Sequence, residues 1–193
     1  VSWLPDTHLA MHYGSTEVSR ALYTYFHVDD RGAVGNLERG AEVKILDDQN
    51  RTLADNEVGE IVLKAPWMAE EYYLDEKLTK EGFVGGFFKT GDLGYSDGIY
   101  LYLTGRIKEV INVGGKKVSP YSIESFFLQN KHVLECACVS LPDKNVGETV
   151  QVFIVANPEN ILSNEQIVEE MQVLAAKNFP VHMRPTKYTY VSQ

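Results

Sequence analysis

Four short segments of the 193-residue chain hold residue types whose chemistry depends on their spacing. In the first, Tyr13-Gly14-Ser15-Thr16-Glu17, a hydroxyl stands beside a carboxylate shortly after a glycine. Such a glycine lets the backbone come close to a phosphate. The hydroxyl can then donate to a phosphate oxygen and the carboxylate can hold Mg²⁺. The same residues also read as a glycine turn followed by a Ser/Thr helix cap. In the second segment, Lys89 to Tyr95, Asp92 sits between Gly91 and Leu93. It can chelate two vicinal hydroxyls, as acidic residues do on a ribose, or serve as a turn carboxylate bonded to nearby amides. The third runs from Gly105 to Glu124 and contains Gly114-Gly115-Lys116-Lys117. This is either a close-approach loop for a phosphate-bearing ligand or a hairpin turn with solvated lysines. It is no Walker loop, because the required glycine–lysine spacing is absent. The fourth, Gly59 to Tyr73, carries no obvious reactive group and reads as strand, proline break and aromatic segment, with a structural role.

The elements that must position these residues change in kind along the chain. Ala41 to Asp48 and Gly59 to Ala65 are strand-like, with a turn at Asp47 to Asn50. Phe87 to Arg106 reads as two strands about a turn at Ser96-Asp97-Gly98. Successive hairpins of this kind predict a small barrel or curved sheet. Beyond Arg106, Ile107 to Val113 is a strand candidate and Gly114-Gly115 a turn. Ser119-Pro120 looks like an N-cap with proline at the first helical position, opening a helix to about Gln129. Val133 to Leu141 and Thr149 to Ala156 read as strands. Ser163 to Gln166 forms a capping-box pattern ahead of an apolar face of Ile167, Met171, Leu174, Ala175 and Phe179. Lys187 to Val191 is a last strand. The fold class is therefore α+β: a β-barrel-like subdomain over residues 1–105, then a small α+β module over 106–193.

Composition narrows the function classes. Apolar residues make up 44% and charged residues 23% of the chain, an ordinary globular balance. Eighteen Lys and Arg face 27 Asp and Glu, and the net charge of −9 disfavours nucleic acid and anionic membrane surfaces. No run is long enough to span a bilayer. Cys136 and Cys138 lie two apart on a predicted strand, face the same side and are poorly placed to bridge. They read as buried reduced thiols, which suit the cytoplasm. The first residue is Val1 and the opening has no leader-like character, which is the expectation for a piece of a longer protein.

Taken in order, the four segments resemble the adenylate-forming superfamily of acyl-CoA synthetases, peptide-synthetase adenylation domains and beetle luciferases. The resemblance runs from about Leu9 to the end. YGSTE looks like the family's Y-G-x-T-E. GEIVLKAPWMAEEYY is similar to its G-E…G-Y-Y segment, with Glu71 where glycine is usual. KTGDLGY matches [RK]-T-G-D-[LI], and GRIKEVINVGGKKVSPYSIE matches the segment that opens the family's C-terminal domain. The resemblance implies that Tyr13 lies against adenine, with Gly14 in the same nucleotide-binding segment. Thr16 contacts the α-phosphate of ATP or AMP, and Glu17 holds Mg²⁺. Asp92 binds the ribose hydroxyls with Arg106 in support. Lys108 is the hinge on which a lid turns between two half-reactions, and Val113, Gly114, Gly115 and Lys116 line a tunnel for the thiol. The reaction implied is activation of a carboxylic acid as acyl-AMP, then transfer to CoA, with fatty-acid metabolism as a setting. INVGGKKVSPYSIE has the acyl-CoA synthetase form, despite Ser122 where glutamate is usual. The alternatives are an adenylation domain that loads a carrier-protein thiol, or a noncatalytic module that docks on a partner.

The family's Ser/Thr/Gly-rich phosphate loop with its lysine, and the G-K segment that follows the C-terminal proline, have no counterpart in these residues. An electrostatic clamp of that kind is worth about 10²–10³ in rate. Residues 1–193 alone are therefore expected to form no AMP above background when incubated with ATP, Mg²⁺, CoA and mixed acids. Turnover that survives removal of contaminating enzymes overturns this expectation.

Overall fold

A computed structural model of the chain describes residues 10–25 and 33–191. The opening that carries Val1 and Leu9 lies outside these described residues, as do the last two positions. The chain divides into two compact units, Val1–Ile107 and Lys108–Gln193. The division falls just beyond position 105 because Arg106 is still a sheet residue, paired in register with Asp92.

The first unit is built from β1 (Ala10–Ser15), β2 (Ser19–Tyr25), β3 (Ala33–Leu37), β4 (Glu42–Leu46), β5 (Gly59–Lys64), α1 (Glu76–Gly82), β6 (Phe83–Val84), β7 (Phe87–Ser96) and β8 (Leu101–Arg106). The strands run in the order β1-β2-β3-β8-β7-β5-β4, with β6 paired to β7. Every ladder is antiparallel. The path ends at β1 and β4, so the barrel-like expectation resolves as an open sheet with no closed ring among the described residues. Ile61, Val62 and Leu63 of β5 are all fully buried, which explains why this run is continuously apolar where a one-faced strand alternates. Val18, Leu22, Phe88 and Leu101 are among the residues that pack with Ile61 and Leu63 in the core. The turns are fixed by local chemistry. Asp47 Oδ1 accepts from the Gln49 and Arg51 amides at 2.8 Å each, and Asn50 takes a φ of 58°. Asp97 Oδ1 accepts from the Ile99 and Tyr100 amides at 2.9 and 2.7 Å ahead of β8.

In the second unit a 3-10 turn, Ile107–Glu109, leads to β9 (Ile111–Val113), β10 (Lys116–Val118), α2 (Pro120–Phe127), β11 (Val133–Asp143), β12 (Gly147–Ala156), α3 (Asn164–Asn178), a second 3-10 turn (Val181–Met183) and β13 (Lys187–Tyr190). The order is β10-β9-β12-β11, with β13 parallel to β12. The expected strand from Ile107 to Val113 is thus shortened. Its ladder with β10 ends at the Ile111–Val118 pair, and the residues before it coil instead. Ser119 stands before Pro120 as expected but makes no side-chain cap bond. The Ser122 amide bonds instead to the Ser119 carbonyl at 3.2 Å. The α3 capping box is complete: the Gln166 amide reaches Ser163 Oγ at 3.3 Å, and the Ser163 amide reaches Gln166 Oε1 at 2.9 Å. Behind it Ile167, Met171 and Ala175 are buried against Ile123, Phe127, Val150 and Ile154. Phe179 caps the helix and meets Phe126 edge-on at 4.9 Å. Cys138 is buried and Cys136 only half-buried, and both are free.

Two substitutions test this account of α3. Ser163→Ala removes a satisfied cap and is expected to cost about 1 kcal/mol. Met171→Ala leaves a cavity in the core and is expected to cost about 2–5 kcal/mol. Urea unfolding followed by circular dichroism measures both, and equal effects contradict the packing described.

Candidate active site

Asp92 is the organising residue of the first unit. It lies within β7, not in a turn, and is 8% exposed. Tyr13 Oη donates to its Oδ2 at 2.8 Å, and Arg106 Nε lies 2.8 Å from its Oδ1. The reading of Asp92 as a turn carboxylate bonded to nearby amides therefore does not hold. Arg106 sits directly opposite Asp92 in the β7–β8 ladder, so sheet register delivers the pair. Tyr13 arrives differently. Its strand, β1, lies four inter-strand steps from β7. In a flat sheet that separation is about 19 Å, beyond the reach of a tyrosine. The hydrogen bond therefore requires the sheet to curl until its first edge approaches β7. A carboxylate has about four acceptor positions, so Asp92 can still accept from two further hydroxyls while holding both partners. Gly91 beside it takes a φ of +72°, a backbone conformation that favours glycine.

Thr90 supports this arrangement. Its Oγ1 donates to the Ile61 carbonyl at 2.7 Å and accepts from the Asp92 amide at 3.0 Å. Burial pushes the Tyr13 phenol well above the ordinary tyrosine range, opposed by the Thr90 hydroxyl and reinforced by the charge and hydrogen bond of Asp92.

Thr16 and Glu17 lie at the tip of the β1–β2 hairpin, in a turn that leads into a strand. The helix-cap reading of this segment is corrected by that hairpin. Gly14 is required by it: a Cβ at Gly14 would lie 1.7 Å from the Ser19 carbonyl oxygen, at a register shift between Tyr13 and Gly14. Thr16 is exposed and Glu17 half-buried. Burial works to raise the Glu17 carboxyl, but hydrogen bonds, from the Tyr72 hydroxyl above all, hold it below the usual range. Tyr72 Oη donates to Glu17 Oε1 at 2.5 Å. Burial, with the adjacent Glu17, pushes the Tyr72 phenol up to about 12. Tyr72 was not legible as a site residue: an aromatic pair after a proline break gives no sign of the loop it touches. No group of three or more His, Cys, Asp or Glu gathers among the described residues. Glu17 fits a hard cation as a single carboxylate ligand. That suits Mg²⁺, which commonly takes one or two carboxylates and completes its shell with phosphate oxygens and water.

Lys108, Gly114, Gly115 and Lys116 belong to the second unit. Lys108 is exposed in the 3-10 turn. Gly114 and Gly115 have φ of 58° and 81° and form a two-residue turn joining β9 to β10. The Gly114 amide donates to the Val146 carbonyl at 2.9 Å, and Lys116 is exposed. The loop is a hairpin turn, a geometry compatible with both readings of it.

Residues 2–73 match the family model described as AMP-binding enzyme, and residues 122–193 match that of the AMP-binding enzyme C-terminal domain. The chain is 38% identical over 148 residues to a malonate–CoA ligase of Arabidopsis thaliana, a match that spans 75% of the chain and 24% of that ligase. It is 34% identical over 165 residues to an oxalate–CoA ligase of Saccharomyces cerevisiae, spanning 84% of the chain and 30% of the relative. Among solved structures, o-succinylbenzoate CoA synthetase from Bacillus subtilis, in complex with its acyl-adenylate intermediate, superposes with a TM-score of 0.78 at 26% identity, covering 94% of the chain and 37% of the other. The chain thus spans about a quarter to a third of the length of the curated relatives it matches.

The Tyr13 phenol gives a test by pH. Its folded-state value is raised above the unfolded one, so its contribution to stability is fully present below about pH 10 and is lost as the pH rises towards the folded value. Urea midpoints at pH 8 and pH 11 are expected to fall more in the parent chain than in Tyr13→Phe. An equal fall in both contradicts the buried Tyr13–Asp92 bond.

Proposed function

The chain belongs to the AMP-binding enzyme family, and on that premise we propose that it forms part of an ATP-dependent, AMP-forming ligase that activates a carboxylic acid and passes it to a thiol. The substrate carboxylate attacks the α-phosphorus of ATP and expels pyrophosphate, leaving acyl-AMP. The acceptor thiol, losing its proton, then attacks the acyl carbon and expels AMP. The observation that carries the reading is the Tyr13–Asp92–Arg106 cluster: a buried carboxylate held from two sides with acceptor capacity to spare. On this reading Asp92 takes the two ribose hydroxyls, Arg106 and Tyr13 keep its oxygens aimed, and Tyr13 offers its ring to adenine. Thr16 donates to the α-phosphate. Glu17 is the carboxylate ligand of Mg²⁺, which when bound offsets charge that develops on the phosphates. Lys108 is the hinge residue, and Val113 to Lys116 line the path of the thiol.

CoA is the proposed acceptor. The form of Ile111 to Glu124 supports it, and so do the relatives named as CoA ligases. No helix among the described residues is long and apolar enough to cross a membrane. The free Cys136 and Cys138 support a reducing compartment, for which we propose the cytoplasm. ATP–pyrophosphate exchange on the full-length protein against a panel of carboxylic acids, followed by assay of the CoA thioester, tests the activity. Exchange with none of them overturns it.

The role of Asp92 has its own signature. The ribose hydroxyls do not react, so their contact exists in ground and transition states alike. Asp92→Asn in the full-length protein is expected to raise KM for ATP about 10- to 100-fold with a smaller change in kcat. If the variant melts early but keeps its parent KM, Asp92 is a structural carboxylate only.

A further inference from the structure

The segment that follows β5 carries no reactive group by sequence, yet three of its residues grip the hairpin tip that bears Glu17. The Ala69 amide donates to the Glu17 carbonyl at 2.7 Å. Trp67 Nε1 donates to the Val18 carbonyl at 3.0 Å. Tyr72 Oη donates to the Glu17 carboxylate itself. Two contacts fix the backbone of the tip, and the third fixes the rotation of the side chain.

Tyr72 is in turn held in place. Its amide donates to Thr79 Oγ1 at 2.9 Å, and its carbonyl accepts from the Asp75 amide at 3.2 Å. Its ring meets Phe83 edge-on with centroids 5.8 Å apart. Gly82 makes room for that ring, since a Cβ there would lie 3.2 Å from Tyr72 Cε2. A chain of contacts thus runs from the end of α1 through the Tyr72 ring to one carboxylate oxygen.

We infer that Tyr72 is a positioning residue for Glu17: its hydroxyl orients the carboxylate for a divalent cation bound with the nucleotide, and Gly82 and Thr79 keep the ring where it can do so. The inference rests on the reading of Glu17 as the metal ligand. Hydrogen-bonding groups behind a metal ligand commonly change metal affinity about 10- to 100-fold when removed. The chemistry matches, because a neutral hydroxyl can fix a carboxylate without cancelling the charge the cation needs.

The test uses the full-length protein holding a non-hydrolysable ATP analogue, with Mn²⁺ binding followed by electron paramagnetic resonance and thermal melting measured alongside. Tyr72→Phe keeps the ring and its packing but deletes the hydroxyl. It is expected to weaken Mn²⁺ about 10-fold or more while leaving the melting temperature near that of the parent. Gly82→Ala, which pushes on the ring, is expected to shift Mn²⁺ affinity in the same direction. Glu17→Gln separates the proposal from its premise. If Glu17→Gln weakens Mn²⁺ and Tyr72→Phe does not, Tyr72 is not a positioning residue. If Glu17→Gln leaves Mn²⁺ unchanged, the premise itself fails and the proposal with it. A Tyr72→Phe variant that melts early at parent Mn²⁺ affinity marks the hydroxyl as structural and overturns the inference.

Discussion

Burial of the Asp92 carboxylate is the constraint on which the first unit depends. A carboxylate taken out of water is costly unless hydrogen-bonded and paired. Asp92 meets that requirement from two directions, through Arg106 on the neighbouring strand and Tyr13 from the far edge of the sheet. The first partner needs only correct register. The second needs the sheet to curl through four strand steps. The curvature, the Gly14 bulge and the placement of the YGSTE hairpin are therefore parts of one arrangement. The open path from β1 to β4 is what remains of a barrel when one end of the sheet curls inward without a closing ladder.

The hairpin tip depends on a second set of contacts. Thr16 and Glu17 are on a turn, and turn residues are held by whatever packs around them. Here the packing comes from Trp67, Ala69 and Tyr72, and Val18 is buried beneath them. Glu71, next to Tyr72, is exposed. The division of labour is clear: β7 and β8 present groups whose positions follow from register, while the tip is positioned by side chains from a loop.

The second unit follows different physics. A capped helix and the apolar faces of β12 and α2 bury one continuous core. The Gly114-Gly115 turn needs two positive φ values and is anchored by a single amide to Val146. Lys116, which follows the turn, is exposed and pairs in register with Val113.

The local features were legible in the amino-acid sequence because their physics is local. The α3 capping box spans four residues, and the Asp47 and Asp97 turns are closed by neighbouring amides. Glycines stand where a two-residue hairpin needs them. Apolar periodicity marked the helix face of Ile167, Met171 and Ala175. The order of four short segments was enough to point to the family, and with it to Asp92 and Glu17 as residues worth attention. Periodicity was less able to say where a strand begins: Ile107 to Val113 reads as one strand candidate, but its ladder with β10 ends at the Ile111–Val118 pair. It also could not separate a helix cap from a hairpin tip at Ser15 to Glu17, since the same small polar residues serve both. What only the tertiary structure decided were the bonds between distant positions. Tyr13 and Asp92 are 79 residues apart, and Glu17 and Tyr72 are 55 apart. No spacing rule reaches across such separations, because the contact depends on how far a sheet curls and which loop folds over it, and both are set by the packing of the whole unit.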